Sequence, residues 1–202
     1  AFDPGPDRKA TRDAVRAELD IPPDATVLLQ VARFHPVKDH ATALRAFAKA
    51  HEQQPESVLV LAGDGDKRQD TESLAAELNI APAVRFLGVR DDVDRLMPAA
   101  DIFVLSSVSE GISVTLLEAM AARLPVVATA VGGNAEVVEH DVTGLLSPRK
   151  DPEAMAKHMA QLIADPTQRG WFGEAGHARL LDRFTQQQMH AGYEQLYEQM
   201  LG

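Results

Sequence analysis

Residues 26–62 decide the fold class of this chain. The segment TVLLQVA at 26–32 is a short continuous apolar run, and SVLVLA at 57–62 is a second. Such runs are typical of strands that are buried on both faces. Between them, 39–53 carries apolar residues at helical spacing. A strand, a helix and a second strand form a unit in which the two strands run parallel, so the segment predicts a parallel sheet.

The same alternation continues along the rest of the chain. Further strands are expected at 84–87, 102–105, 125–130 and 144–146. Further helices are expected at 7–19, 71–79, 91–97, 114–122, 134–139, 151–164, 168–182 and 185–200. This pattern predicts an α/β, Rossmann-like domain with a parallel sheet of about six strands, helices on both faces and a helical C-terminal tail. We find no internal repeat or linker, so we expect residues 1–202 to form a single domain.

Composition excludes several functional classes. The 202 residues are 45% hydrophobic, which is enough for a substantial core. A formal net charge of −10 argues against nucleic acid as a partner, because phosphate backbones bind basic surfaces. The chain has no cysteine, which excludes disulfides, thiolate zinc sites and thiol nucleophiles. No apolar stretch reaches the roughly 20 residues that span a bilayer, and no signal peptide is visible, so we expect a cytoplasmic protein.

Two cations follow the first predicted strand, in the segment ARFHPVKD. Arg33 and Lys38 stand five positions apart across a turn that leads into a helix. Ligands of parallel sheets bind beyond the carboxyl ends of the strands. Two cations beside a helix N-terminus would form a phosphate clamp there. The alternative is that both residues are ordinary solvated surface side chains.

A glycine-rich turn follows the second predicted strand, at Gly63-Asp64-Gly65. It lacks the third glycine of a dinucleotide fingerprint, since that position holds Arg68, and no acidic residue ends the second strand. These departures weaken a NAD-binding interpretation and favour a tight turn. Asp64 and Asp66 also form an Asp-x-Asp pattern, but so short a pattern often occurs by chance. We therefore expect no metal site.

The stretch SEGISVTLLEAM at 109–120 places two carboxylates around the start of a helix. Ser113 is expected to cap that helix. The backbone N–H groups of 111–113 would then point to an anion site. Carboxylates suit such a site only if the ligand also carries neighbouring hydroxyls, because a carboxylate accepts two hydrogen bonds from a diol. A nucleotide sugar has a diphosphate between two polyols, so Glu110 and Glu118 would each bind one polyol.

These motifs together resemble the retaining glycosyltransferases of family 4, which have the GT-B fold. The Glu-x7-Glu pattern lies in SEGISVTLLEAMA, and VARFHPVKD, LAGDGD, VRFLG, ADIFVLSS, LPVVATAVGGNAEVVEH and TGLLSP match family segments in the same order. The resemblance covers most of the chain. Ala32 departs from the family pattern, where a glycine precedes the arginine. Ile112 and Ser113 also depart from it, since the family has an aromatic residue and a glycine there.

The resemblance implies a set of donor-binding residues. They are Arg33, Lys38, Arg85, Glu110, Gly111, Ile112, Ser113 and Glu118. By this resemblance Arg33 and Lys38 would hold the donor diphosphate, and Glu118 would bind the ribose. Glu110 and the adjoining backbone amides would grip the transferred sugar and its phosphate, and Arg85 would contact the nucleobase mainly through its backbone. Arg33, Lys38 and Glu110 are the implied catalytic residues, and no metal or other cofactor is implied.

The resemblance extends to only the second, donor-binding domain of a GT-B enzyme. The segment FDP resembles the chain just past the interdomain linker, and the predicted last helix resembles the tail that returns to the first domain. We therefore expect a missing N-terminal acceptor domain, through which the whole protein could touch a membrane. The isolated chain is expected to bind a UDP- or GDP-hexose without transferring it. Two alternatives stay open: a nucleotide-sugar 2-epimerase, and a non-catalytic sensor or scaffold that kept the pocket.

Overall fold

The computed structural model describes residues 7–185 and Gln188, and it contains one parallel sheet. Its strands are β1 (Thr26–Val31), β2 (Ser57–Ala62), β3 (Val84–Gly88), β4 (Ile102–Leu105), β5 (Val126–Thr129) and β6 (Gly144–Ser147). The spatial order is β3-β2-β1-β4-β5-β6, and every neighbouring pair is parallel. This is the doubly wound order of a Rossmann-like domain, so the predicted fold class is confirmed.

Eight α-helices precede, connect and follow these strands within the described residues. They are α1 (Arg8–Glu18), α2 (His40–Gln53), α3 (Arg68–Glu77), α4 (Val93–Ala99), α5 (Val114–Ala121), α6 (Asn134–Val137), α7 (Pro152–Ala164) and α8 (Pro166–Arg183). Short 3-10 turns occupy Pro36–Lys38 and Ala81–Ala83. The FDP segment and nearly all of the predicted helix at 185–200 lie outside the described residues.

Two helices begin earlier than the apolar periodicity predicts. Helix α3 starts at Arg68, and its first turn is polar and carries the ion pair between Arg68 and Glu72. Helix α8 starts at Pro166, where the Asp165 side chain accepts a hydrogen bond of 2.9 Å from the Gln168 N–H. In both cases the first turn of the helix makes polar contacts. Such a turn adds nothing to the apolar periodicity, so the sequence pattern places the start too late.

The sheet separates two apolar layers, and alternate strand residues point into each. Leu28, Leu59 and Ile102 face the layer formed with α2, α3 and α7. Leu29 and Phe103 face the layer formed with α1, α4 and α5. Because both faces are covered, the strands read as continuous apolar runs in the sequence.

A charged network at the amino end of the sheet ties α1 to the two central strands. Asp101, just before β4, accepts a 2.7 Å hydrogen bond from the Val27 N–H of β1. The same carboxylate accepts 2.7 Å hydrogen bonds from the guanidinium groups of Arg12 and Arg16. Arg16 is buried and also donates to the carbonyl groups of Pro23 and Ala25. The network therefore aligns the starts of β1 and β4.

His40, the first residue of α2, is a buried polar residue in this fold. It is 3% exposed, and its ring stacks on Phe34 with the centroids 4.2 Å apart. Neither ring nitrogen has a hydrogen-bond partner in the part of the chain that the structure describes. Burial, followed by the positive charge of Lys38, lowers the pKa of His40 to about 4. The ring is therefore neutral at pH 7.

We predict that His40 makes the folded chain less stable as the pH falls from about 7 towards 4. In the unfolded chain a histidine is protonated near pH 6.5, whereas folded His40 stays neutral until about pH 4. Proton binding thus favours the unfolded state within this window and costs up to about 3 kcal/mol of unfolding free energy. Urea denaturation at several pH values measures this loss.

The matched variants are His40→Phe, which keeps an aromatic ring against Phe34, and His51→Gln. His40→Phe should lose about 3 kcal/mol of the pH-dependent decline in unfolding free energy. His51→Gln should keep the dependence of the unmodified chain. An unchanged decline in His40→Phe would contradict the assignment.

Candidate functional site

The strand order places the candidate site at the carboxyl ends of β1 and β4. These neighbouring strands lead to helices on opposite faces of the sheet, so the loops that follow them diverge and open a crevice. The loop after β1 carries Arg33 and Lys38, and the loop after β4 carries Glu110. Residues that are more than seventy positions apart therefore meet at the carboxyl end of the sheet.

The central contact of the crevice is an ion pair between Lys38 and Glu110. The Lys38 ammonium donates a 2.5 Å hydrogen bond to Glu110 Oε1, and the side chains are 27 and 10% exposed. The Ser107 hydroxyl donates to the same oxygen at 2.5 Å. The Ser106 hydroxyl donates to the Lys38 carbonyl at 2.9 Å and also contacts the buried Gln30 of β1. Both charged residues are thus held by the ends of the two central strands.

Arg33 lies on the neighbouring turn, which packs against the loop after β2. The Phe34 N–H donates to the Asp64 carbonyl at 2.9 Å. Gly63 has φ 141°, and a Cβ there would lie 2.1 Å from the Ala32 carbonyl oxygen. Only glycine permits this approach, which agrees with the predicted tight turn. The exposed Arg33 guanidinium has no hydrogen bond or salt bridge to any described residue.

The loop after β4 is supported by the loop after β5. A Cβ at Gly132, which has φ 49°, would lie 1.8 Å from the Glu110 carbonyl oxygen. The Gly133 N–H donates to the Gly111 carbonyl at 3.0 Å. The Thr129 hydroxyl donates to the Ser107 carbonyl at 2.5 Å. These contacts hold the backbone that carries Glu110 in place.

The start of α5 presents free backbone donors next to Glu110. The N–H groups of Gly111, Ile112 and Ser113 have no protein acceptor within the described ranges. Ser113 occupies the N-cap position, but its hydroxyl contacts the Thr115 hydroxyl at 3.0 Å and makes no cap hydrogen bond. The prediction that Ser113 caps the helix through its side chain is therefore wrong. The free N–H groups and the helix dipole together favour an anion.

Glu118 lies on α5, three residues after Thr115 and so on the same side of the helix. Its carboxyl group is half-buried and has no hydrogen-bond or ion-pair partner in the described residues. Burial raises the pKa of Glu118 above its ordinary value. A desolvated carboxylate without a partner is poised to accept hydrogen bonds from a ligand.

The guanidinium of Arg85 does not join this site. It is the second residue of β3, and its guanidinium donates to the carbonyl groups of Leu19, Asp20 and Pro82. Leu19 and Asp20 precede β1, so the side chain lies towards the amino end of the sheet. The guanidinium is therefore not available to a nucleobase at the carboxyl end of the sheet, while the expected contact through the Arg85 backbone stays a prediction.

A cleft of about 430 Å³ lies beside Arg33 at the ends of the first three strands. Its lining residues lie at the last position of a strand, just beyond a strand or in the first turn of α5. They are Val31, Ala32, Arg33, Ala62, Gly63, Asp64, Val89, Arg90 and Thr115. Sequence reasoning missed Val89, Arg90 and Thr115, and also missed Ser107 beside Glu110. Their positions in the sequence could have indicated two of them, because Val89 and Ser107 each follow closely on an apolar strand.

The Asp-x-Asp pattern forms no metal-binding cluster in the described part of the chain. Asp64 accepts a 2.8 Å hydrogen bond from the Gly65 N–H. No group of three His, Asp or Glu side chains suited to a metal ion occurs among the described residues. Over the same residues, no helix has both the length and the apolar character that crossing a membrane requires.

The fold and the crevice together define a GT-B type of glycosyltransferase domain, and comparisons support this class. HepE of Anabaena, solved with UDP and glucose, superposes with a TM-score of 0.84 at 25% identity over 96% of this chain and 52% of HepE. Sucrose-phosphate synthase from Thermosynechococcus elongatus gives 0.80 at 31% identity over 94% of this chain and 49% of the synthase.

Residues 11–179 match the family model of glycosyl transferases group 1, and the chain belongs to this family. It is 34% identical over 90% of its length to the lipopolysaccharide core biosynthesis glycosyltransferase LpsE of Rhizobium meliloti, and covers 52% of that protein. It is 37% identical over 83% of its length to the D-inositol 3-phosphate glycosyltransferase of Corynebacterium urealyticum, and covers 41% of that protein. The chain thus spans about half the length of these curated relatives or less.

We predict that Lys38 and Glu110 are energetically coupled in the folded chain. Because the pair is mostly buried and hydrogen-bonded, a double-mutant cycle with Lys38→Met and Glu110→Gln should give a coupling of about 1–3 kcal/mol. Chemical denaturation measures the unfolding free energies. The exposed pair Lys49–Glu153, treated with the same substitutions, should give less than about 1 kcal/mol. Equal couplings in the two cycles would show that the crevice pair has no special strength.

Proposed function

We propose that this chain is the donor-binding domain of a retaining glycosyltransferase, which transfers a hexose from a nucleoside diphosphate sugar to an acceptor hydroxyl. The observation that carries the proposal is the crevice itself. There, the Lys38–Glu110 pair lies next to the unused N–H groups of 111–113. This arrangement would offer positive charge to a diphosphate and a carboxylate to hydroxyl groups side by side, at the carboxyl ends of β1 and β4.

The diphosphate would bind between the loop after β1 and the start of α5. Arg33 has free N–H donors, Lys38 carries a positive charge, and the amides of 111–113 add partial positive charge. As the bond to the sugar breaks, the leaving diphosphate gains negative charge. These groups would stabilise that charge in the transition state without a metal ion.

The two glutamates would bind the two polyols of the donor. Glu118, half-buried and without a protein partner among the described residues, would accept hydrogen bonds from the ribose hydroxyls. Glu110, whose second carboxylate oxygen has no described protein donor, would accept from the transferred sugar. The nucleobase would lie in the cleft lined by Val89 and Arg90. UDP is the first nucleotide to test, because HepE was solved with it.

The acceptor would be bound by a second domain outside this chain. Coverage of about half of each curated relative supports that division. The exposed apolar side chains of Val89, Ile112 and Val114 stand beside the crevice, where a facing domain would cover them. We therefore expect the isolated chain to bind the donor without transferring its sugar, since transfer requires a closed cleft.

Calorimetry with UDP, uridine and 2′,3′-dideoxy-UDP tests the proposed contacts one by one. Arg33→Ala should weaken UDP binding by about 1.5–3 kcal/mol and leave uridine binding nearly unchanged, because Arg33 would contact only the diphosphate. Glu118→Gln should weaken UDP and uridine alike by about 1 kcal/mol or more. That second loss should largely vanish with the dideoxy ligand, which lacks the ribose hydroxyls.

Arg149→Ala is the control for Arg33, since Arg149 is an exposed arginine in the loop after β6. It should leave all three affinities unchanged. GDP in place of UDP tests the choice of base. Equal losses for UDP and uridine in Arg33→Ala would remove Arg33 from the diphosphate site, and no measurable binding of UDP, GDP or their sugars would overturn the proposal.

Donor binding is predicted to be independent of divalent metal ions. Arg33, Lys38 and the α5 N-terminus already supply the positive charge that a metal would otherwise bring. The dissociation constant of UDP should therefore be the same within about twofold before and after treatment with EDTA. A large loss of affinity that Mn²⁺ or Mg²⁺ restores would instead assign a metal to the diphosphate.

A further inference from the structure

A second cluster of positively charged side chains lies at the amino end of the sheet, opposite the crevice. A cavity of about 190 Å³ is found at the starts of β4 and β5, where Ala100, Asp101, Leu124 and Pro125 form part of its wall. Four arginines line it, and they come from three separate parts of the chain: Arg8, Arg12, Arg123 and Arg169. The crevice lies at the carboxyl ends of the strands, so the two features are separated by the length of the sheet.

The cavity lining is positively charged in a protein that is strongly acidic. Its four arginines face two carboxylates, Asp101 and Glu174. Asp101 is already shared, because it accepts 2.7 Å hydrogen bonds from Arg12 and from the buried Arg16. Glu174 is engaged by Arg123. The chain as a whole has a formal charge of −10, so this local excess of cations runs against the overall field.

The arginines retain many unused hydrogen-bond donors. Arg8 has no hydrogen-bond or ion-pair partner among the described residues. Arg169 uses only one nitrogen, Nη1, which donates to the carbonyl groups of Leu162 and Ile163. Arg123 likewise uses only Nη1, towards Glu174. Three guanidinium groups around one small cavity thus keep N–H groups that no described protein atom accepts.

The guanidinium groups also crowd one another. Burial lowers the pKa of Arg8, and the nearby positive charges of Arg12 and Arg123 lower it further. Burial likewise lowers the pKa of Arg169. Crowded, partly desolvated cations are stabilised when an anion with several acceptor oxygens binds between them.

We propose that this cavity is a second ligand site, which binds the phosphate group of a small molecule. A phosphate offers several acceptor oxygens, and the planar guanidinium fork matches that geometry. The cavity is less than half the size of the cleft beside Arg33, so it accommodates a phosphate or a small phosphate ester rather than a nucleotide sugar. The phosphate-binding cavity is therefore distinct from the proposed donor site in both place and ligand size.

Titration calorimetry with inorganic phosphate, in a phosphate-free buffer of constant ionic strength, tests this site. The 202-residue chain is compared with Arg8→Gln, Arg123→Gln and the control Arg149→Gln. Each of the first two variants should raise the dissociation constant of phosphate about tenfold or more, since each removes charge-assisted hydrogen bonds. Arg149→Gln should change it less than twofold. Arg8→Gln removes no described contact, so its folding should be unaffected.

The donor site is separated from this test by adding Arg33→Ala and, in a second series, saturating UDP. Phosphate binding that survives both treatments but falls in Arg8→Gln supports the cavity. Phosphate binding that is lost only in Arg33→Ala, or that UDP abolishes, would overturn the proposal. So would equal affinities in Arg8→Gln and Arg149→Gln, or no binding of phosphate at all.

A lipid headgroup presents the same phosphate chemistry, and vesicle sedimentation distinguishes the source. Vesicles of phosphatidylglycerol are compared with vesicles of phosphatidylcholine. We expect binding of free phosphate without sedimentation on either vesicle, because the cavity is small. Sedimentation on phosphatidylglycerol that Arg8→Gln abolishes would keep the phosphate site but replace the soluble ligand with a headgroup.

Discussion

The pairing of β1 with β4 is the constraint on which the crevice depends. The two strands share a short register, Leu28 with Ile102 and Leu29 with Phe103, yet they join the two halves of the sheet. Side-chain contacts extend this seam at both ends: Asp101 accepts from the Val27 N–H below it, and Gln30 contacts Ser106 above it. The register of β1 against β4 determines how the two loops that follow these strands face each other. A shift of this register by one residue would separate Lys38 from Glu110 and leave each charge partly buried without a partner.

The two ends of this seam carry different arrangements of charge. At the carboxyl end, one ammonium group and one carboxylate neutralise each other under a row of free backbone amides. At the amino end, Asp101 is shared by two guanidinium groups, and further arginines surround it. The acidic remainder of the surface therefore surrounds two local regions that favour anions, and the low dielectric of partly buried positions keeps both effective.

Much of the architecture could be predicted from the sequence, because buried parallel strands leave continuous apolar runs. Strands β2 and β4 have the predicted bounds, and the other strands differ by one or two residues. Polar features were harder to predict. The first turn of α3 has no apolar period, and the position of Ser113 gave no indication that its hydroxyl contacts Thr115. The motif placed Lys38 and Glu110 in one site, but their direct contact depends on strand order. The direction of the Arg85 side chain could not be judged from a short motif either.

The Lys38–Glu110 contact makes occupancy of the crevice an exchange of partners rather than a simple addition. A phosphate that takes the Lys38 ammonium weakens the bond to Glu110 and leaves a carboxylate that is only 10% exposed to be satisfied. A ligand with phosphate alone supplies no hydrogen-bond donor to the Glu110 carboxylate, whereas a ligand that also carries hydroxyl groups supplies replacement donors. The ion pair thereby favours ligands that carry both chemical groups over ligands that carry phosphate alone.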